Sequence, residues 1–124
     1  MNARKEKIKT LGRLKNRPDF VRIQNKGQKW VSHGLIVQAL PNQIAQVRIG
    51  FTVSKKVSKS AVVRNRVKRR LRAIAMDILP GYAQGSCDYI LVGRSQSAER
   101  DYETLKKDLI WCLGKMGLKA DVSN

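Results

Sequence analysis

At 124 residues, 42% of them hydrophobic, the chain is about one domain's worth and has enough apolar material to exclude wholesale disorder. Lys and Arg number 26 against 9 Asp and Glu, a formal net charge of +17. A compact domain tolerates that best when a polyanion supplies the countercharge, nucleic acid first and an anionic membrane second.

Residues 1–15 are basic and aperiodic and predict a flexible arm, and residues 119–124 predict a loose tail. Between them, 16–118 reads as one domain with no separating linker. Pro18 suits the first turn of a short helix, with Asn16 or Arg17 at its cap and Asp19 at its positive end. Phe20, Val21 and Ile23 give it apolar contacts, and Gly27 reads as its stop. Trp30 to Leu40 is rich in β-branched and aliphatic residues and predicts a strand; a further strand within 29–40 stays open. Pro41-Asn42-Gln43 signals a turn. Val47, Ile49, Phe51 and Val53 then alternate with Gln46, Arg48, Thr52 and Ser54, a half-buried strand expected to form an antiparallel hairpin with the first.

After a basic, serine-rich loop the period changes. Ser60 is a good cap, and Val63, Val67, Leu71, Ile74 and Ile78 share one helical stripe that Pro80-Gly81 should end. Cys87 to Val92 is almost wholly apolar and predicts a central strand. A last helix runs from about Tyr102 to Met116, capped by Asp101 or Ser97, with Tyr102, Leu105, Leu109, Cys112, Leu113 and Met116 on its core side. The order α-β-β-α-β-α predicts a single-domain α+β fold, an α/β sandwich with a mainly antiparallel sheet packed by helices.

The charge is concentrated. No acid falls between Phe20 and Met76, a stretch holding thirteen Lys or Arg, nine of them between Lys55 and Arg72. At 100° per residue, Arg64, Lys68 and Arg72 stack just outside the apolar stripe, and Asn65 and Arg69 continue round the solvent side. Arg66 and Arg70 border its other edge. Like charges at i, i+4 cost a few tenths of a kcal/mol per pair on isolated helices, and no glutamate relieves them here. Arginine predominates, and its planar fork suits phosphate and base edges. A basic amphipathic helix could also lie on a membrane, but this stripe is narrow and lacks Trp or Phe. No run approaches the roughly 18 apolar residues of a membrane span, and the basic N-terminus has no apolar signal core behind it.

Val57 to Arg72, with Ala61-Val62-Val63-Arg64-Asn65-Arg66-Val67-Lys68-Arg69 at its centre, resembles the signature of the bacterial ribonuclease P protein family. Arg48 to Lys56 looks like the strand and loop leading into it, and Asp19-Phe20 with Gly27, and Tyr102-Glu103, match in order. The resemblance spans roughly Leu14 to Leu113. It implies an α/β sandwich with a left-handed β-α-β crossover through the basic helix. It also implies a role as the protein subunit of a ribonucleoprotein endoribonuclease that removes the 5′ leader of precursor tRNA. The active site and most of the Mg²⁺ would lie with the RNA subunit. Carried over by position, Lys55, Lys56, Arg64, Asn65, Arg66, Lys68, Arg69 and Arg72 would touch the RNA subunit or the leader. Phe20 would line the leader cleft. Gln24 and Gln38 stand where many relatives carry aromatics, implying amide hydrogen bonds where relatives stack. The implied partners are the RNA subunit and the precursor leader in the cytoplasm, with no membrane and no obligate protein partner.

The residues themselves offer no catalytic set and no metal site. His33, the only histidine, sits beside Gly34 with no carboxylate paired to it in sequence, and the acids outside 20–76 show no clustered ligand spacing. Cys87 and Cys112 lack metal or redox spacing and read as small core hydrophobes in a reducing cytoplasm. Two other readings stay open: an RNA-binding module without an enzymatic partner, such as a ribosomal protein, and a DNA-binding protein using the basic helix in a major groove. Against the latter, no helix-turn-helix partner is evident, and the adjacent strands would obstruct entry to the groove.

Overall fold

A strand that is apolar on both sides needs cover on both sides, and Cys87–Gly93 takes the middle of a five-stranded sheet. The computed structural model describes residues 11–82 and 85–118. Its elements run β1 (Gly12–Arg13), α1 (Arg17–Lys26), β2 (Gln28–Val31), β3 (Leu35–Pro41), β4 (Arg48–Thr52), α2 (Ala61–Tyr82), β5 (Cys87–Gly93), a 3₁₀ turn (Ser95–Ala98) and α3 (Tyr102–Lys115). The sheet order is β1-β4-β5-β3-β2. β3 pairs antiparallel with β5 from Leu35↔Gly93 to Pro41↔Cys87, and β2 antiparallel with β3 from Gln28↔Ala39 to Val31↔Ile36. β4 runs parallel to β5, from Arg48↔Asp88 to Thr52↔Val92, and β1 parallel to β4. Taken together the antiparallel ladders register more residue pairs than the parallel ones, and α2 makes the crossover between the parallel neighbours β4 and β5.

The expected hairpin between residues 30–40 and 46–54 does not form. β5 lies between those strands, and the connection from Asn42 to Val47 crosses two strand spacings, about 10 Å. The hairpin present is β2–β3. Its turn is held by the Ser32 N–H donating to Leu35 O at 2.9 Å and by the Ser32 hydroxyl donating to the same carbonyl at 2.6 Å. The open question of a further strand within 29–40 is answered by this turn, which divides the segment.

Side-chain alternation puts Leu35, Val37, Ala39, Ile49, Cys87, Tyr89 and Leu91 on one sheet face. There they meet Val67, Leu71, Ile74 and Ile78 of α2 and Leu105, Leu109, Cys112 and Leu113 of α3, all buried. Cys87 and Cys112 are buried free cysteines. Ser60 caps α2 by accepting from the Val63 N–H at 3.3 Å, and Asp101 caps α3 by accepting from Thr104 N–H at 3.3 Å. α2 runs through its expected stop at Pro80-Gly81 to Tyr82, with Pro80 inside the helix and buried against the core.

The opposite face carries α1 over a smaller core of Leu14, Ile23 and Ile90, with Phe20, Leu40 and Val92 packed on it. Gly27 follows α1 with extended angles (φ −82°, ψ 170°), so it does not stop the helix by a left-handed turn. Its role is close approach: a Cβ there would lie 2.5 Å from Ala39 O and 2.6 Å from Ile23 O. Leu14 is buried, and the Gly12 and Leu14 amides donate to Val47 O and Ile49 O at 2.7 and 2.9 Å. The fold therefore begins inside the segment expected to be an arm, and residues 1–10 and 119–124 lie outside the described residues. Among the described residues, no helix is long and apolar enough to cross a membrane.

Candidate RNA-binding interface

Seating α2 by its apolar stripe decides which cations reach solvent. Asn65, Arg66, Arg69 and Arg72 are exposed, and Arg64 and Lys68 are half-buried beside the sheet. Arg64 donates Nη1 to Ser58 O at 2.8 Å. The loop before the helix is shaped further by Val57 N–H to Ser54 O at 3.0 Å, Lys56 N–H to Ser54 Oγ at 3.2 Å and Ser60 N–H to Ser58 Oγ at 3.1 Å. Lys55 and Lys56 project from this ordered turn at the helix N-terminus, whose backbone amides also favour anions. Arg72 places its guanidinium 5.5 Å from the Phe51 ring centroid.

Arg70 does something different. Its guanidinium donates to Ala98 O at 2.8 Å and to Arg100 O, tying α2 to the segment before α3. Identical in type to its neighbours, it is structural because it borders the core edge that meets the 3₁₀ turn.

The acids are occupied elsewhere. Asp88, wholly buried on β5, accepts from Arg48 at 2.8 Å through each oxygen, from Arg22 at 2.9 Å and from Asn42 at 2.8 Å. Burial pushes its carboxyl up, but the Arg48, Asn42 and Arg22 hydrogen bonds outweigh that and hold it below the ordinary carboxylate value. The Arg48 guanidinium is raised mainly by its hydrogen bond to Asp88. Asp108 takes Arg100, and Asp77 takes the Tyr102 hydroxyl at 2.8 Å and lies 4.0 Å from Lys106. Burial, with the Asp77 bond next, pushes the Tyr102 phenol up to about 12. Among the described residues no carboxylate pairs with a cation of α2. The ridge is left for an external anion.

Beside the ridge, α1 and the outer half of β4 enclose a cavity of about 410 Å³ lined by Lys15, Arg17, Phe20, Val21, Gln24, Phe51 and Thr52. Phe20 reaches it because Gly50 beneath has no side chain: a Cβ there would lie 2.5 Å from Phe20 Cζ. Phe51 joins the cavity to Arg72, so cleft and ridge are one surface. Phe20 and Gln24 are thus brought together. Gln38 is not among the lining residues. It shares the α1 face of the sheet in register with Ile90, and its Oε1 is buried without a hydrogen-bond partner. Lys15, Arg17, Phe51 and Thr52 escaped the sequence reading. The first two lay in or next to an apparent arm, and the last two look like ordinary members of an alternating strand. Among the described residues, no three His, Cys, Asp or Glu side chains cluster to hold a metal ion.

A model of the family described as Ribonuclease P matches residues 8–117. The ribonuclease P protein component of Paramagnetospirillum magneticum is 44% identical over 112 residues, covering 86% of this chain and 84% of that protein. That of Bacillus mycoides is 34% identical over 113 residues, covering 90% and 96%. The structure of the Staphylococcus aureus RNase P protein is similar with a TM-score of 0.73 at 27% identity, over 87% of this chain and 97% of that one. With its unmatched cations on the signature helix and a cleft beside them, this chain belongs to the ribonuclease P protein family.

Proposed function

We propose that this chain is the protein subunit of bacterial ribonuclease P and promotes removal of the 5′ leader from precursor tRNA. The single observation that carries the reading is the ridge from Lys55 to Arg72, without carboxylate partners among the described residues and continuous through Phe51 with the Phe20–Gln24 cleft. Two different ligand geometries suit the two parts. A helix studded with Arg and Lys tracks the phosphates of a folded RNA, the catalytic RNA subunit. A narrow cleft with two phenylalanines, one amide and flanking cations takes a single strand, the leader, with Phe20 stacking on a base and Gln24 meeting a base edge.

The chemistry of cleavage is assigned to the RNA, which with the substrate holds most of the Mg²⁺. The protein's own contribution is electrostatic and positional. Its cations offset phosphate repulsion between leader and RNA subunit, and the cleft fixes the leader's path relative to the scissile bond. The test is precursor-tRNA cleavage at low Mg²⁺ by a bacterial ribonuclease P RNA, with and without the protein, alongside an Arg64→Ala, Arg66→Ala, Lys68→Ala variant. RNA-dependent cutting at the mature 5′ end should rise with the wild-type protein and fall with the variant. A protein that binds RNA yet never stimulates that cut, even with its native RNA, is a plain RNA-binding module.

A further inference from the structure

The edge of the sheet farthest from β1 carries a second aromatic and cationic site that the proposed function does not use. Trp30 on β2 and Trp111 on α3 are 38% and 47% exposed, yet their rings meet edge to face at 6.2 Å. Tryptophan is rarely left at a surface in pairs without a partner. The pair is held in place: the Cys112 thiol lies 3.8 Å from Trp30 O, and Lys115 stands 5.8 Å from the Trp111 centroid. Next to Trp111 opens a cavity of about 540 Å³, walled by the β2–β3 turn with His33, by Arg94 after β5, and by Lys107 and Asp108. Arg94 is fixed across its floor by donating Nη1 to Ser32 O at 2.5 Å. The one acid, Asp108, is already engaged by Arg100, whose Nε and Nη2 donate to it at 2.5 and 3.2 Å.

We propose that this cavity binds an unpaired RNA nucleotide, its base stacked on Trp111 and its phosphate between Arg94 and Lys107. The size suits a nucleotide-scale ligand, and an aromatic platform beside cations is the recurring single-strand solution. A second copy of the chain fits poorly. A two-fold contact over the tryptophans would set Lys107, Lys115 and Arg94 of one copy against the same cations of the other.

Trp30 and Trp111 are the only two tryptophans, so fluorescence excited selectively at tryptophan, beyond the tyrosine absorption, reports this site. The full chain is titrated with a short unstructured oligoadenylate, as wild type, as Lys107→Glu, and as the Arg64→Ala, Arg66→Ala, Lys68→Ala variant. Saturable quenching that survives the triple substitution and weakens roughly tenfold in Lys107→Glu supports the site. Lys107 is exposed, so its substitution leaves the fold intact, and circular dichroism checks this. The proposal is overturned by no quenching, by quenching abolished in the triple variant, by quenching equally strong in Lys107→Glu, or by equal quenching with inorganic polyphosphate, which has no base to stack. Quenching by dilution-sensitive self-association, seen as a dimer in sedimentation without RNA, assigns the tryptophans to a second copy and also overturns it.

Discussion

Asp88 shows how one residue's role depends on surroundings that a sequence does not display. As a letter it is an isolated acid in an apolar strand; in the fold it is the buried anion to which Arg22 of α1 and Arg48 of β4 both converge. Because its carboxyl is held below the ordinary value near 3.8, it adds stability that is fully present above that pH. This stability is lost as pH falls through the lower folded value. The thermal midpoint should therefore change little with pH near neutrality, where the Asp88 contribution is complete, and should drop below about pH 4. Asp88→Asn should cost about 1.5–3 kcal/mol at pH 7, the scale of hydrogen bonds to charged groups, and flatten the acid limb; an unchanged limb would remove the carboxylate from this role. Gly50 makes the same point for the cleft. Its alternation partners announce a strand, but nothing in the string says that a phenyl ring lies on it. Gly50→Ala should displace Phe20 and weaken binding of a leader-bearing precursor by up to the roughly 1–3 kcal/mol of a stacked base. Affinity for leaderless tRNA should stay within error, and comparing the two by filter binding checks it.

At the scale of elements, neighbouring arginines on α2 divide between solvent and fold: Arg66 and Arg69 are exposed, and Arg70 bonds to the segment before α3. Arg70→Ala should lower stability by about 1.5–3 kcal/mol through loss of its bonds to Ala98 O and Arg100 O, with a smaller effect on RNA affinity in the fraction still folded. Arg66→Ala, exposed and without a carboxylate partner among the described residues, should leave the denaturation midpoint within about 0.5 kcal/mol and weaken RNA binding. Denaturant melts set beside binding isotherms separate the two. The helices were legible because their signals are local: Ser60 and Asp101 cap as read, and the stripes from Val67 to Ile78 and Leu105 to Leu113 are the buried ones. Strand pairing was less so. Adjacency in sequence suggested a hairpin, whereas the almost wholly apolar Cys87–Val92 already required two neighbours, and β3 and β4 are the strands that flank it. For the site, the ridge could be read from periodicity and charge. The cleft could not, since it depends on which face α1 covers and on Leu14 entering the core, and both are long-range facts.

Taken whole, the molecule sorts its charge: carboxylates pair with Arg22, Arg48, Arg100 and Lys106, and the cations of the Lys55–Arg72 ridge have no carboxylate partner among the described residues. If six to ten phosphates are neutralised there, RNA affinity should fall roughly 10³–10⁵-fold between 50 and 200 mM salt, and each cation removed should reduce the log–log slope by about 1. The triple variant of Arg64, Arg66 and Lys68 should thus bind with a slope shallower by about 3; an unchanged slope would place the phosphates elsewhere. The sheet order carries a kinetic consequence of its own. β5, the strand between β3 and β4, is the last to leave the ribosome, so neither neighbour finds its long-range partner until residue 93 has been synthesised. Until then the β2–β3 hairpin and β4 expose open edges, and α2 has no sheet to pack on. Folding should accordingly be post-translational and slow for the chain's size. A chain whose α2 segment has emerged before β5 displays every cation of the ridge without the fold that aligns them, so the cell meets this protein first as a polycation and only afterwards as a subunit.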